Sequence, residues 1–436
     1  MERKITFIKY VSLNMLSMLG LSCYILADTL FIANGVGSLG LAALNLILPL
    51  YNVIIGLGLL IGVGSATRFS IVRAQHDDQH ASLYFTVAIK LAIMVAIPIT
   101  ILGFFFTSSI MVFMGATQDI LDIASTYLKT FIVFTPFFII QQIVVTFIRN
   151  DNNPRLASLA MIMGTLFNII FDYIFIFPCH LGMFGAALAT GFSPVVTLLI
   201  CSLHFIGKKN HFHFNKAKLN LQVVWQIFTI GVPSFITELS TGIIIFIFNI
   251  VIFSIGGNIA IASYGIISNL ALVVTSLYTG IAQGVQPLFS QSYAQNNFYL
   301  NKSYFHYSII STLMLSTFIY ICILLFSHEI VALFNSENNL QMAQMASHGL
   351  PLYFFGFFFS GLNMIFVSYF ASIEKIKPSF LISLLRGGLI IIPLVFLLAP
   401  LFLLDGVWLS FPMSEAMILL ISLFFFKQIN EKKEQN

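Results

Sequence analysis

Charged side chains are scarce in this sequence. Only 8% of its 436 residues are Asp, Glu, Lys or Arg, whereas an ordinary soluble domain is about one-quarter charged. Hydrophobic residues make up 58% of the chain, and its mean hydropathy is +0.97. A soluble core cannot bury this much apolar surface. The composition therefore excludes a water-soluble globular protein and predicts an integral membrane protein.

Cysteine and catalytic motifs are also scarce. The four cysteines, Cys23, Cys179, Cys201 and Cys322, have no C-x-x-C spacing, which argues against a disulfide framework or a metal site. No Gly-x-x-x-x-Gly-Lys-Ser/Thr motif occurs, so the chain has no ATP-driven motor of its own. The apolar segments contain no catalytic His/Glu or Ser/Lys constellation. We therefore expect a protein that is not an enzyme and that needs no cofactor.

Apolar segments long enough to cross a membrane recur along the chain. A helix rises 1.5 Å per residue, so about 20 apolar residues cross the hydrocarbon. We predict twelve helical spans, numbered 1 to 12 in chain order, at 5–34, 41–75, 82–107, 119–148, 156–177, 185–207, 223–255, 259–294, 303–327, 340–371, 378–400 and 407–428. Prolines inside many of them, including Pro136 and Pro351, predict kinked helices.

Lys and Arg lie almost entirely in one set of loops. The alternate loops contain neither residue; they are 35–40, 108–118, 178–184, 256–258, 328–339 and 401–406. Loops rich in Lys and Arg stay in the cytoplasm. This distribution predicts that both termini are cytoplasmic, which requires an even number of spans and supports twelve.

The chain contains an internal repeat. Residues 37–75 align without gaps with residues 257–295, and twelve of the 39 positions are identical, Gly64 and Gly284 among them. We predict an all-α membrane protein of two parallel six-helix repeats around a central cleft, related by an axis along the membrane normal. Its parts are an N-lobe (1–206), a linker (207–222) that we interpret as a solvated basic segment, and a C-lobe (223–436). Two such halves suit a transporter with alternating access.

Four acidic residues lie inside spans and away from their ends: Asp28, Asp172, Glu238 and Glu415. An Asp at the middle of a membrane helix costs about 2.5–3.5 kcal/mol on insertion scales. Burial also disfavours the charged form of a carboxyl group. Such a group can bind and release a proton, or bind Na⁺ together with other oxygen ligands.

Asp28 and Asp172 lie at matching depths. Asp28 precedes the outer end of span 1 by roughly 10 Å, and Asp172 precedes the outer end of span 5 by roughly 9 Å. Asn168 lies one turn from Asp172 on the same helix face. Two carboxyl groups and an amide at one level can form a proton or cation site. The alternative is a hydrogen-bond network that only fastens spans 1 and 5 together.

The C-lobe contains the other two acids. Glu238 follows Pro233 by five residues, close to mid-membrane in span 7, and we expect it to face the cleft and attract a cationic substrate. The alternative is a protonated side chain bonded to a helix backbone. Glu415 of span 12 is a further candidate for substrate binding. Arg386 of span 11 could pair with an acid or extend to the cytoplasmic side, and we favour a structural role for it.

The sequence resembles the multidrug and toxic compound extrusion (MATE) family of bacterial efflux transporters over essentially the whole chain. The matching stretches are "ADTLFIANGVGSLGLAALNLILPL", "RNDNNPRLASLAMIMGTLFNIIFDYIF", "LGMFGAALATG", "GVPSFITELSTG", "ASYGIISNL", "GIAQGVQPLFSQSYAQNN" and "DGVWLSFP". The resemblance implies a secondary antiporter in which H⁺ or Na⁺ moves in and organic cations and other drugs move out. It also implies a monomer in the lipid bilayer of the bacterial inner membrane, with no nucleic-acid partner.

The resemblance also implies a set of site residues. In similar transporters an N-lobe cation site combines an Asp of span 1, an Asn and an Asp of span 5 and a Thr of span 6. These residues correspond to Asp28, Asn168, Asp172 and Thr190, and the acid of span 7 corresponds to Glu238. Some relatives also have an acid in span 10. Here that span has none, which favours coupling in the N-lobe.

Two other transporter classes share parts of this plan. A lipid-linked saccharide flippase has repeated helical halves, but it should need a basic cavity for pyrophosphate, and this chain has few intramembrane cations. The major facilitator family also has twelve spans, but its usual Gly-x-x-x-Asp-Arg-type loop is not matched by "VRAQHDDQH". Measuring substrate efflux would distinguish these classes.

Overall fold

Every regular element of this computed structural model is helical in the residues it describes, which are 2–75, 77–208, 210–216, 219–334 and 339–434. The helices are α1 (Glu2–Gly35), α2 (Ser38–Ala74), α3 (Asp78–Phe105), α4 (Thr107–Phe113), α5 (Gln118–Ile132), α6 (Thr135–Asn150), α7 (Pro154–Ile176), α8 (Gly182–Ile206), α9 (Leu221–Ala294), α10 (Phe298–Phe334), α11 (Leu340–Phe354), α12 (Phe357–Ser372), α13 (Ile376–Leu384) and α14 (Ile391–Glu434). A π-helical turn, Leu385–Leu389, joins α13 to α14.

The long helices account for twelve membrane crossings. In the described part of the chain, nine helical stretches are long and apolar enough to span a membrane, and two bent pairs raise the number to 11. One of the nine, Ile376–Ile429, has 54 residues, about twice the length that a bilayer needs. It breaks at Leu403, whose φ is 54°. A Cβ atom at Gly406 would lie 2.2 Å from the carbonyl oxygen of Leu398, so the chain reverses between them. The prediction of twelve spans is confirmed.

The long helix α9 likewise contains two spans. Gly257 has φ 62° and ψ −153°, which interrupts the helix. The rings of Phe248 and Tyr264 lie 5.5 Å apart although 16 residues separate them, a separation of about 24 Å along a straight helix. The chain therefore turns back at Gly257, as predicted for the loop between spans 7 and 8.

Spans 4 and 10 are bent. The α5–α6 pair bends by 48° and the α11–α12 pair by 43°. Pro136 lies in the first turn of α6 and Pro351 lies near the end of α11. Proline removes a backbone hydrogen bond and its ring displaces the preceding turn. The prediction of proline kinks is confirmed at these two spans.

Two hydrophobic cores stabilise the helix bundle. The N-terminal ends of α1 and α9 each pack into the core of the other lobe. The first core contains buried residues from Met18 onward in spans 1 to 6, and the second contains buried residues of spans 7 to 12. The start of α1 (Phe7, Tyr10) packs into the second core, and the start of α9 (Val223, Ile227) packs into the first. The two lobes are therefore interlocked where α1 and α9 begin. The lobe boundaries given above remain a prediction.

The lobes pack closely at the end of the bundle where α1 begins, here called the basic end because its loops contain the Lys and Arg residues. A Cβ atom at Gly64 would lie 2.0 Å from the carbonyl oxygen of Ile227. A Cβ atom at the repeat-related Gly284 would lie 2.9 Å from the carbonyl oxygen of Tyr10. The two repeats thus use equivalent glycines to bring helix backbones together.

Side-chain hydrogen bonds between the lobes also lie at the basic end. They join Arg68 to Glu374, Tyr84 to Gln226, Arg149 to Gln283, Gln286 to Thr67 and Asn150, and Gln291 to Asn150 and Asn152. No side-chain hydrogen bond of the described residues joins the lobes at the opposite end. This structure is therefore closed at the basic end.

The linker between the lobes is more buried than a solvated segment would be. Phe212 is fully buried, and its ring centroid lies 4.6 Å from that of Phe85. Nδ1 of His211 lies 2.9 Å from Oδ1 of Asp151. Apolar burial of Phe212 thus fastens this segment to the N-lobe. Lys209 and Lys218, which contribute to the predicted basic character of the linker, lie outside the described residues.

Candidate functional site

Close packing of α7 against its neighbours positions the N-lobe acids. A Cβ atom at Gly164 would lie 2.1 Å from Oγ1 of Thr197, so α7 and α8 touch one turn below Asn168. The hydroxyl of Ser193 donates to the carbonyl oxygen of Gly164 at 2.9 Å. Small residues at such contacts let membrane helices approach closely. The result is a tight junction that places the polar residues of α7 opposite those of α1 and α8.

All four residues that the family resemblance implied lie together in this junction, here called the N-lobe acid site. Asp28 comes from α1, Asn168 and Asp172 come from α7, and Thr190 comes from α8. Their exposed fractions are 6%, 0%, 0% and 3%, so the site is closed to bulk solvent.

Asn168 connects the acid of α7 to α8. In the amide orientation that satisfies both of its ends, its nitrogen donates to Oδ2 of Asp172 at 3.0 Å. Its oxygen accepts from the backbone nitrogen of Thr190 at 3.1 Å, and Oγ1 of Thr190 lies 3.3 Å away. These hydrogen bonds allow the amide group of Asn168 to hold the carboxyl group of Asp172 in a fixed orientation.

The two carboxyl groups of the site contact each other. Asp28 and Asp172 are within hydrogen-bonding reach of one another, and a hydrogen bond between two carboxyl groups requires that one of them holds a proton. Each also has a buried oxygen, Oδ1, that receives no hydrogen bond from the described residues. No Lys, Arg or His of the described chain pairs with either acid. The pair can therefore take up a proton or a small cation.

Three tyrosines surround this acid pair, and the sequence analysis did not identify them. Tyr24 lies one helical turn from Asp28 on α1, and its hydroxyl is 3.0 Å from that of Tyr51 on α2. Tyr127 of α5 is buried and interacts electrostatically with both Asp28 and Asp172. The i to i+4 spacing of Tyr24 and Asp28 was a usable signal. The contribution of Tyr51 depends on how α1 and α2 pack.

A cavity of about 150 Å³ lies in the C-lobe, and both remaining acidic candidates line it. Its wall also contains Arg386, the hydroxyl groups of Ser240, Thr275 and Ser360, and the aromatic rings of Tyr264, Tyr353 and Phe411. Glu238 and Glu415 thus share one cavity and lie apart from the N-lobe acid site.

Glu415 is paired inside this cavity. Nε of Arg386 donates to Oε1 of Glu415 at 3.1 Å and to Oε2 at 3.2 Å. Asn363 donates to Oε2 at 2.7 Å, and the Arg386 Nη2 donates to Ser360 at 3.0 Å. The alternative in which Arg386 pairs with an acid is the one observed. Its charge and that of Glu415 neutralise each other within the protein.

The backbone around Arg386 is irregular. Arg386 lies in the π-helical turn Leu385–Leu389, where Gly388 has a φ of 129°. Residues other than glycine rarely adopt this backbone conformation. A Cβ atom at Gly387 would lie 2.6 Å from the hydroxyl oxygen of Ser240. These two glycines allow the π-helical turn to pack against α9 while the guanidinium group of Arg386 points toward α12.

Glu238 is the unpaired acid of the cavity. None of the hydrogen bonds or ion pairs among the described residues involves its carboxyl group. It lies beside α2, since a Cβ atom at Gly56 would lie 3.6 Å from the Cβ of Glu238. It also interacts electrostatically with the hydroxyl of Tyr51. Glu238 therefore lies in the C-lobe at the boundary with the N-lobe.

A further buried acid, Asp151, was not identified from the sequence. Its carboxylate accepts from Arg73, from the His211 backbone nitrogen at 2.9 Å and from the side chain of His211, and Nε2 of His204 lies 2.8 Å away. The surrounding "RNDNNP" has the composition of an exposed turn, and no sequence pattern indicated that Asp151 would be buried. The described residues contain no group of three or more His, Cys, Asp or Glu side chains that could hold a metal ion.

Comparisons with known proteins agree with this architecture. The MatE family model matches residues 14–174 and 233–397. The chain is 27% identical over 394 residues to the multidrug export protein MepA of Staphylococcus aureus (strain MSSA476), covering 90% of this chain and 86% of that protein. A solved structure described as the outward-facing conformation of a multidrug resistance MATE family transporter of the MOP superfamily matches 100% of this chain and 97% of that one, with a TM-score of 0.94 and 20% identity. A crystal structure of MATE in the bent conformation matches with a TM-score of 0.90 and 21% identity, covering 100% and 97%.

Proposed function

We propose that this chain, which belongs to the MatE family, is a secondary antiporter that exports amphipathic organic cations in exchange for protons. Membership follows from a family model that matches both repeats. The chain is thus a multi-pass membrane transporter and not an enzyme. The direction of transport, the coupling ion and the charge of the substrate are the parts that we propose.

The acid pair of the N-lobe supports the proton as coupling ion. Asp28 and Asp172 are buried within hydrogen-bonding reach of each other and have no cationic partner in the described chain. Two adjacent carboxylates repel each other strongly, so the pair favours a shared proton. Its oxygen atoms, with those of Asn168 and Thr190, also form a donor set that suits Na⁺. We favour H⁺ because the two carboxyl groups lie within hydrogen-bonding reach of each other, an arrangement that a shared proton stabilises.

The C-lobe cavity supports a cationic substrate. It contains two acids and one described cation, Arg386, which Glu415 already neutralises. Glu238 thus gives the cavity a negative character when ionised. Aromatic rings and hydroxyl groups supply the rest of the wall and accept varied amphipathic shapes. A lipid-linked saccharide flippase would need free cations for pyrophosphate, and this cavity offers none among its described lining residues.

The loop charges support an orientation for the cycle. We place the basic end and both termini in the cytoplasm of a bacterial inner membrane, because Lys and Arg collect there. A structure that is closed at the basic end then corresponds to the outward-facing state. In that state external protons reach the acid pair and the drug leaves, because proton and drug disfavour each other by linkage. We propose that a monomer suffices, since each described site lies within one chain.

Substitution of the acid pair tests this proposal. Asp28→Asn should reduce proton-driven ethidium efflux by at least about tenfold, since coupling free energies commonly correspond to 5–150-fold effects. Efflux is measured in energised cells at matched membrane expression. Asp119→Asn removes a carboxylate from the exposed first turn of α5 and should leave efflux unchanged. Wild-type efflux by well-expressed Asp28→Asn protein would contradict the proposal.

A further inference from the structure

A hydrogen-bonded pair of tyrosine hydroxyl groups lies within electrostatic range of both carboxyl sites of the molecule. Tyr24 Oη and Tyr51 Oη are 3.0 Å apart, and either oxygen can be the donor. Tyr24 lies one turn from Asp28 along α1, and Tyr24 is 8% exposed. The pair thus begins at the N-lobe acid site and ends on α2, the helix that faces the C-lobe.

Helix packing places Tyr51 near Glu238. The side-chain nitrogen of Asn52 would lie 3.5 Å from a Cβ atom at Gly242, and a Cβ atom at Gly56 would lie 3.6 Å from the Cβ of Glu238. In this antiparallel register Gly56 lies opposite Glu238, and Tyr51 is five residues from Gly56 along α2, an axial separation of about 7.5 Å. The Tyr51 hydroxyl interacts electrostatically with both Glu238 and Asp28. Tyr51 therefore lies within electrostatic range of both sites.

A hydroxyl pair has two directions, and the charge of Asp28 selects between them. An ionised Asp28 attracts the proton of Tyr24, so Tyr51 donates to Tyr24 and its own proton is unavailable to Glu238. A protonated Asp28 removes that attraction, and Tyr24 can donate to Tyr51. The hydroxyl proton of Tyr51 is then free to turn toward Glu238. Each tyrosine hydroxyl donates one proton and accepts others, as this exchange requires.

We propose that Tyr24 and Tyr51 form a hydrogen-bond relay that couples proton binding at Asp28–Asp172 to substrate affinity at Glu238. Protonation of the acid pair reverses the relay, and Tyr51 then donates to Glu238 and competes with the bound organic cation. No bond other than hydrogen bonds changes, and Tyr24 and Tyr51 are positioning residues. The inference rests on the proposed proton antiport and explains how two separate sites disfavour simultaneous occupancy.

Other titratable groups lie near both ends of the relay, and the test must separate their contribution to the pH dependence. Around Asp28 they are Asp172, Tyr24, Tyr51 and Tyr127; around Glu238 they are Tyr51 and the cavity residues Tyr264, Tyr353, Arg386 and Glu415. Glu238 can itself take up a proton and weaken cation binding. Asp28→Asn, which keeps the N-lobe site neutral, measures that residual pH dependence.

The test measures binding of tetraphenylphosphonium to purified transporter at a series of pH values. Wild-type affinity should fall as pH falls, by about 5–150-fold. Asp28→Asn should bind weakly throughout, because its relay always points to Glu238. Tyr51→Phe keeps the ring, which packs on Phe131 and Phe138, but it has no proton to donate. It should keep high affinity at low pH and restore affinity to Asp28→Asn protein. Tyr24→Phe leaves the Tyr51 hydroxyl without its hydrogen-bond partner, so this variant should bind weakly at every pH, and the double variant should behave like Tyr51→Phe.

A control variant and two contradicting results separate failure of the relay from failure of proton coupling. Tyr278→Phe removes a buried C-lobe hydroxyl bonded to Ser316 and should behave as wild type. The relay is wrong if Tyr51→Phe and Tyr24→Phe keep the wild-type pH dependence while Asp28→Asn loses it, and in that case proton coupling itself stands. If Asp28→Asn keeps the wild-type pH dependence, the proposed function fails before the relay is considered.

Discussion

The N-lobe buries Asp28 beside Asp172 with no cationic partner in the described chain, whereas the C-lobe buries Glu415 against the guanidinium of Arg386. An acid pair without a counter-ion needs a proton or a cation from outside to become neutral. A carboxylate paired with arginine is already neutral and has little to gain from one. The difference supports the proposed assignment of ion exchange to the N-lobe, with the Arg386–Glu415 pair as a fixed part of the C-lobe lining.

Breaking the C-lobe pair should have the larger effect on stability. Arg386→Met or Glu415→Gln leaves one buried group without its partner, which typically destabilises a protein by about 3–5 kcal/mol. The double variant removes both charges and should recover most of that loss. Thermal unfolding of the purified variants measures the difference. If each single variant unfolds like the wild type, Arg386 and Glu415 do not form a stabilising pair, and the contrast between the lobes fails.

Neutralising Glu238 should have a smaller and more selective effect. Glu238→Gln keeps the size of the side chain but removes the charge that we assign to cation binding. Affinity for tetraphenylphosphonium should fall by about tenfold, which corresponds to about 1.4 kcal/mol. Affinity for a neutral substrate of similar shape should hardly change. Equal losses for both compounds in a binding titration would argue against direct recognition of the positive charge by Glu238.

Much of the fold could be predicted because lipid imposes simple rules on sequence. The bilayer thickness sets the length of each span, and the Lys and Arg residues indicate which loops are cytoplasmic. The turns at Gly257 and Leu403 were therefore predicted correctly within long helices. Pro136 and Pro351 signalled the bends of spans 4 and 10. The π-helical turn at Arg386 was not predicted, because its cause is packing of Gly387 against Ser240 rather than a local sequence signal.

The candidate site was predictable only where its residues share a helix or a depth. Asn168 and Asp172 lie one turn apart, and depth alone brought Asp28 to their level. Thr190 came from the family resemblance. Tyr51 could not be found from the sequence, since its role depends on the side-by-side packing of α1, α2 and α9. Asp151 was missed because nothing in a polar turn predicts that two histidines and an arginine will enclose it.

The measurement that tests the central claim most directly is ethidium efflux from energised vesicles with the proton and sodium gradients collapsed separately. Because the acid pair of Asp28 and Asp172 is assigned to proton exchange, efflux should stop when the proton gradient is collapsed and continue when the sodium gradient is collapsed. Efflux that survives collapse of the proton gradient and stops with loss of the sodium gradient would contradict that assignment.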